Sequence, residues 1–510
     1  MINNLIAEFD YRYKSYEGKV AVIDQDRHIT FCELAAKALN LADFLIRETQ
    51  EVRNTPIAVF LPKCGMAVVA DLAIAYSANP FMNLDIKLPQ TRIDNILNRV
   101  QPAMILSRKE YADVLAGTEI PVVYLDEIDI SDRFSANVHD KVMHRLERQI
   151  DTDPFCIINT SGSTGTPKGV ILNHRSFFDF YNWAVETFHF SGNEIIGSLS
   201  PIVFDIFDFE LCLLMLSGSQ MVLLNANLAI FPARLLQCVE EHRVNFIFWV
   251  PTIMVNIANM DLLQKVDVSC LKTIWFAGEV FPTKQFNYWR GHLPEATFVN
   301  LYGPIEITLD CSYYIADHEL PDDQPLPIGR PCNNTDILLL NDEDHLCAEG
   351  EIGEICVRGT SLAMGYYNNP EKTNAAFVQN PLNHSYPELI YRTGDLGYWD
   401  KSGVIMFKGR KDSLIKHMGY RIELGEIEHI AVNTLKIVSN CCVVYDRNKN
   451  AITMIYENPG EVTAVQIRKA LATQMPRYMV PTEYIEIELL PRNTNGKIDR
   501  LKLTQMVNGN

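Results

Sequence analysis

Residues 159–170 spell NTSGSTGTPKGV, a crowd of hydroxyl and glycine residues between a strand-like run at 155–158 and a helical stretch at 177–187. A strand, a glycine-rich turn and a helix in that order form a loop able to wrap phosphate oxygens. Gly162, Gly165 and Gly169 permit close backbone approach, Ser161, Ser163, Thr164 and Thr166 supply hydroxyl donors, and Lys168 supplies positive charge. The common P-loop, GxxxxGK followed by Ser or Thr, cannot be laid over this stretch.

Outward from the loop, strand-like runs at 57–61, 104–106 and 121–125 alternate with helical stretches at Phe31–Glu48 and 88–99. That rhythm predicts an α/β fold with largely parallel sheets. The charged residues 126–151 are expected to make a surface excursion within one domain. Residues 391–416 are dense in Gly, Asp, Arg and Lys, which places a hinge near 410. Beyond it a helix is expected at 424–435, paired strands at 441–445 and 451–456, and a helix at 464–474 closed off by Pro476 and Pro481. The predicted architecture is a large N-terminal α/β domain, residues 1–409, of mixed and parallel sheets flanked by helices, followed by a small mobile C-terminal α+β domain, residues 410–510.

A chain of 510 residues exceeds what one core usually supports, and 47% hydrophobic with 21% charged residues is an ordinary globular composition. Sixty-three acidic against 45 basic residues give a formal charge of −18, which argues against nucleic acid or an anionic membrane as a partner. No basic stretch followed by an apolar run opens the chain, and no segment has the roughly 18 apolar residues a membrane helix requires, so a cytoplasmic location is expected. The 12 cysteines are scattered, with only Cys441 and Cys442 adjacent, and are expected to be reduced and mostly buried. The 12 histidines form no HExxH cluster, so no structural metal site is indicated.

Six further segments join the glycine-rich loop: FDIFDFE at 204–210, NLYGPIE at 300–306, GEICVRG at 353–359, YRTGDLG at 391–397, GRKDSLIKHMGYRIELGEIE at 409–428 and PRNTNGKIDR at 491–500. In this order they resemble the adenylate-forming superfamily of acyl-CoA synthetases, luciferases and nonribosomal peptide adenylation domains, along nearly the whole chain. The resemblance is nearest to free-standing amino acid:carrier-protein ligases such as the proline- and D-alanine-activating enzymes.

The resemblance implies ATP and Mg²⁺ as cofactors. Thr160, Ser161, Gly162, Ser163, Thr164, Gly165 and Lys168 would cradle the nucleotide's phosphates, with Lys168 also counted as catalytic. Tyr302 would stack on adenine, Asn300 would bond its edge, and Gly303 would lie against the nucleotide. Asp395 would take the ribose hydroxyls with Arg410 beside it, and Glu306 would hold Mg²⁺. Lys497 would bridge the substrate carboxylate and the α-phosphate in the adenylating pose. Asp412 would be the hinge of the small domain, and Gly419 would face the channel for a pantetheine arm. Departures from the family pattern are Ile305 where Thr is usual, Leu414 and Met418 in place of Gln and Arg, and AYSANPFMNLD in place of a glycine-rich stretch.

Asp205 stands where amino-acid-activating members carry the aspartate that binds the α-amino group; a carboxylate in an apolar strand would need such a cation. The same alignment makes Ile206, Phe209, Phe248, Trp275, Ala277, Leu301, Leu309 and Asp310 the remaining pocket walls. The bulky apolar groups predict a small or compact amino acid, and FAGEVFP at 276–282 with this pocket set resembles free-standing proline-activating ligases, which puts proline first. Asp310 departs from the proline pattern and keeps serine, alanine or a short basic amino acid open. With no carrier module after the lysine motif, the expected acceptor is the phosphopantetheine thiol of a separate carrier protein. The alternatives are an acyl-CoA synthetase using free coenzyme A and a non-catalytic nucleotide-binding protein.

Overall fold

The computed structural model describes residues 4–509 except 51, 161–166, 323, 412–413, 439, 458–461 and 492–497. It divides into two compact units, one made of 1–86, 100–158 and 170–409, the other of 87–99, 159–169 and 410–510.

Two large sheets build the first unit. In a nine-stranded sheet six strands run parallel, in the order Val20–Asp24, Gln220–Leu223, Ile195–Ser198, Phe246–Trp249, Thr273–Phe276 and Thr297–Tyr302. Antiparallel strands close its edges: Arg27–Thr30 on one side, Ser312–Ile315 and Arg330–Pro331 on the other. A seven-stranded sheet contains Ile57–Val59 flanked by Phe81–Asn83 and Ile105–Ser107, all parallel. A five-stranded sheet has Thr335–Leu340, Gly353–Gly359, Leu389–Trp399 and Phe377–Gln379 in antiparallel order, with Ile405–Arg410 also paired to Leu389–Trp399. The mixed sheets and flanking helices are the α/β arrangement expected.

Period-two alternation decides what each central strand buries. Phe246, Phe248, Trp275, Val299 and Leu301 join one apolar cluster, while Ile247, Trp249, Ile274, Phe276 and Phe298 join another on the opposite face. Continuous apolar runs with both faces covered are what a buried parallel sheet requires. The helix Phe31–Glu48 has the predicted bounds because Thr30 and Glu33 form a reciprocal capping box.

Three expectations need correction. Residues 126–151 are not mere surface, for they include the helix Ala136–Leu146, with Val142 and Leu146 one turn apart and buried. Arg145 on that helix is buried as well, donating from Nε to the Ser77 carbonyl at 2.6 Å. The helix expected at 424–435 is α-helical only over Leu424–His429 and continues as a π turn, Ile430–Thr434. Residues 87–99, read as part of the N-terminal region, group with the second unit, where Arg92 Nη1 donates to Glu426 Oε1 at 2.5 Å with both side chains buried.

The second unit also has the strands Cys441–Asp446, Ala451–Glu457 and Glu483–Ile487 in one sheet; the first two pair as expected, in antiparallel register. None of the 12 cysteines forms a disulfide, and nine of them are buried. No helix among the described residues is long and apolar enough to cross a membrane.

Candidate active site

Asp205 does not lie in a strand, as its apolar setting implied; it is the first residue of the helix Asp205–Cys212. Amides at a helix start lack intrahelical acceptors and favour a carboxylate there. Its Oδ1 accepts from the Ile206 amide at 3.0 Å, and its Oδ2 accepts from the Leu309 amide at 3.2 Å. Backbone donors and a helix end thus offset part of the desolvation that a strand aspartate would face.

Thr308 and Leu309 both hold positive φ, 53° and 66°. For residues with a Cβ, and above all a β-branched one, that region is strained. The Asp205 carboxylate fixes the strained turn through the Leu309 amide, and Gly303 lies under it. A Cβ at Gly303 would sit 2.3 Å from the Leu309 carbonyl oxygen and 2.4 Å from Asp310 Cα, so only glycine fits.

The predicted pocket walls come from neighbouring elements of one unit. Parallel register pairs Phe248 with Trp275, and Ala277 and Leu301 lie on the face that Trp275 shares. The Trp275 ring stacks on Phe209 at 5.3 Å with 7° between planes and meets the Phe248 ring edge-on at 5.5 Å. Phe180, Trp183, Phe188, Phe190 and Phe246 also surround it. Trp275 Nε1 is buried without a hydrogen-bond partner among the described residues. Phe209, Leu301, Leu309 and Asp310 are buried, and Ile206 is half-buried.

Of the residues expected to meet the nucleotide, Tyr302 closes the strand Thr297–Tyr302, and its hydroxyl donates to Asp395 Oδ2 at 2.5 Å. Burial, then the Asp395 charge, pushes the Tyr302 phenol well up, so it stays a donor. Asp395 is turned by its own amide, which donates to Thr393 Oγ1 at 2.9 Å. Asn300 Nδ2 donates to the Pro327 carbonyl at 2.7 Å, which fixes the amide's orientation. Glu306 is fully buried on a single 3-10 turn, Ile305–Ile307, and accepts from the Tyr366 hydroxyl at 2.7 Å.

The AMP-binding enzyme family matches residues 9–367, more than half of the chain. The chain belongs to the AMP-binding enzyme family. Tyrocidine synthase 1 of Brevibacillus parabrevis is 29% identical over 502 residues, covering 98% of this chain and 44% of that protein. The chain spans less than half the length of that relative and of gramicidin S synthase 1 from Brevibacillus brevis. Among solved structures, the Vibrio cholerae adenylation domain AlmE in complex with glycyl-adenosine-5'-phosphate superposes with a TM-score of 0.85 at 20% identity, covering 98% of this chain and 97% of that one. Holo-PA1221, described as a nonribosomal peptide synthetase protein with adenylation and PCP domains, gives 0.81 at 22% identity, covering 98% and 84%. These likenesses establish the fold.

In this AMP-binding enzyme, Thr160 ends the strand Pro154–Thr160 and Lys168 begins the strand Lys168–Asn173, so both flank the glycine-rich loop. Thr160 Oγ1 donates to the Lys168 carbonyl at 3.5 Å. Ser161, Gly162, Ser163, Thr164 and Gly165 lie outside the described residues, as do Asp412 and Lys497. Arg410 ends the strand Ile405–Arg410. Gly419, φ 80°, and Met418, φ 53°, form the left-handed turn of the hairpin Leu414–His417/Tyr420–Glu423.

Among the described residues no group of three or more His, Cys, Asp or Glu can hold a metal ion. A lone glutamate fits Mg²⁺ brought in by a triphosphate, because that ion keeps phosphate and water ligands and needs only one or two protein oxygens. Tyr366, the partner of Glu306, went unnoticed in the sequence, since 60 residues separate them. The strain at Thr308 and Leu309 left no sequence signal either, as both are ordinary residue types.

Proposed function

We propose that this AMP-binding enzyme activates a small amino acid with ATP and passes the aminoacyl group to the phosphopantetheine thiol of a carrier protein. The observation that carries the reading is Asp205, a buried carboxylate held by two backbone amides beside a wall of aromatic rings. An ammonium group is the substrate feature that such a carboxylate recognises. AlmE in complex with glycyl-adenosine-5'-phosphate and the name tyrocidine synthase point the same way.

In the first step a carboxylate oxygen of the amino acid attacks the α-phosphorus, the bond to the bridging oxygen breaks, and pyrophosphate leaves. In the second, a thiolate attacks the acyl carbonyl and AMP leaves. Asp205 holds the amine, Tyr302 and Asn300 the adenine, and Asp395 with Arg410 the ribose. Lys168 and the loop from Thr160 to Gly165 hold the phosphates, and Lys497 steadies the charge gathering at the reacting centre. Mg²⁺ held through Glu306 would neutralise the leaving pyrophosphate. Asp412 is the pivot for the small domain between the two steps, and Gly419 borders the thiol's path.

Proline is the first substrate proposed, because FAGEVFP at 276–282 and the aromatic wall around Trp275 resemble those of proline-activating ligases. Asp310, buried at the pocket wall, keeps serine or a short basic amino acid as the second reading, since a side-chain hydroxyl or amine can donate to its carboxylate. ATP–pyrophosphate exchange over a panel of L- and D-amino acids decides between them. Exchange with none of them, nor with aryl acids, would remove the proposal.

A further inference from the structure

Lys63 follows the strand Ile57–Val59 of the seven-stranded sheet and is buried away from every acidic side chain that could pair with it directly at ion-pair distance among the described residues. Its ammonium crosses to the other large sheet. There Nζ donates to the Ser198 carbonyl at 2.6 Å and the Ser200 carbonyl at 2.7 Å, at the end of the strand Ile195–Ser198. It also lies 5.7 Å from the centre of the Phe207 ring, two residues past Asp205. From the far side Glu210, on the same helix as Asp205, accepts from Ser198 Oγ at 2.5 Å through Oε2. Glu210 is fully buried, and its Oε1 has no hydrogen-bond partner among the described residues.

A buried lysine and a buried glutamate are costly, and hydrophobic residues of similar volume commonly serve stability as well or better. Burial drives the Lys63 ammonium down and the Glu210 carboxyl up, each opposed by the other's charge. What these groups do together is clamp the segment 198–204, which delivers Asp205 to the pocket. Ser198 is gripped twice, by Lys63 at its carbonyl and by Glu210 at its hydroxyl. The helix carrying Asp205 is thereby tied to the ends of both large sheets.

We infer that Lys63 and Glu210 are positioning residues that, through Ser198, hold the Asp205 carboxylate in register with the pocket and so tune recognition of the substrate amine. The inference rests on Asp205 being the amine anchor. Neither residue touches substrate; both act through the backbone they hold. A displacement of about 1 Å at a recognition carboxylate is enough to lose much of its contribution.

The test uses Lys63→Met, Lys63→Arg and Ser198→Ala in the full chain, with two readouts. In pyrophosphate exchange, Lys63→Met should raise the amino-acid KM roughly ten- to hundredfold, as for loss of charge-assisted hydrogen bonds, with the ATP KM within about twofold. Lys63→Arg, which can still donate to both carbonyls, should recover most of that loss, and Ser198→Ala should give a smaller rise of the same kind. Equal rises in both KM values, or an unchanged amino-acid KM, would overturn the inference. The second readout needs no activity: amide hydrogen exchange of residues 199–209 should quicken in Lys63→Met while that of residues 273–276 stays put. If Lys63→Met does not fold, Ser198→Ala carries both measurements. A wild-type chain without amino-acid-dependent exchange removes the anchor reading, and amide exchange still decides the clamp: no local quickening overturns it.

Discussion

Asp205 Oδ2 accepts the backbone amide of Leu309 at 3.2 Å, so the start of one helix and a left-handed turn 104 residues further on are locked together by a single carboxylate. The same group that is proposed to meet the substrate amine therefore also holds part of the pocket wall. Removing it has two consequences, and the choice of substitution separates them.

Asp205→Asn keeps an oxygen able to accept an amide and discards the charge. Activation of an amino acid should fall by several kcal/mol in binding, within the roughly 3–5 kcal/mol seen when a buried ion pair loses one partner. ATP binding, measured by calorimetry, should survive, and desamino analogues should lose much less. Asp205→Ala should add a loss of thermal stability, because the Leu309 amide is then left without that acceptor. Nearly unchanged activation in both variants would show that the amine is held elsewhere.

Lys497→Ala should suppress acyl-AMP formation while transfer of a supplied acyl-AMP to thiol continues, since the lysine is proposed to act in the first step alone. Single-turnover assays of the two half-reactions measure this directly. Equal loss in both would make Lys497 a structural residue.

Trp275→Phe should cost less stability than removal of a hydrogen-bonded indole would. Its Nε1 has no partner among the described residues to lose, so the remaining cost is the cavity, on the order of 1–3 kcal/mol by chemical denaturation. The exchange profile should move toward larger side chains. A profile unaltered by the smaller ring would place the substrate away from this wall.

The buried Asp71 carboxyl is pushed up to about 8 by burial, against a hydrogen bond from Asn83 Nδ2. Folded-state pKa above the unfolded value means that the native protein holds its proton while the unfolded chain releases it. Stability from this residue is then full below about 3.8 and is lost as pH rises toward 8. Asp71→Asn should gain on the wild type as pH is raised from 5.5 to 7.5, by about 1.4 kcal/mol per pH unit at most. Urea melts at the two values check the sign; a constant difference would mean that Asp71 does not titrate in this window.

Much of the α/β pattern was legible because it is local. Alternating apolar runs and the prolines that close the C-terminal helix each report on a few neighbouring residues. The motif order pointed to the family for a related reason: phosphate loops, turns and helix starts need particular residue types at fixed short spacings. What lay beyond reach was every relationship set by packing between distant segments. Asp205 looked like a strand residue because its neighbours are apolar, yet those neighbours are apolar because the helix they form is buried. Residues 126–151 looked like surface because their charges outnumber Val142 and Leu146, though two residues one turn apart are enough to seat a helix. The sequence by itself determined the periodicities, the loop chemistry and the set of candidate groups. Only the tertiary structure decided that Leu309 holds Asp205, that Tyr366 meets Glu306 and that Lys63 grips Ser198, because hydrogen bonds between residues far apart in the chain depend on where sheets bring backbones together.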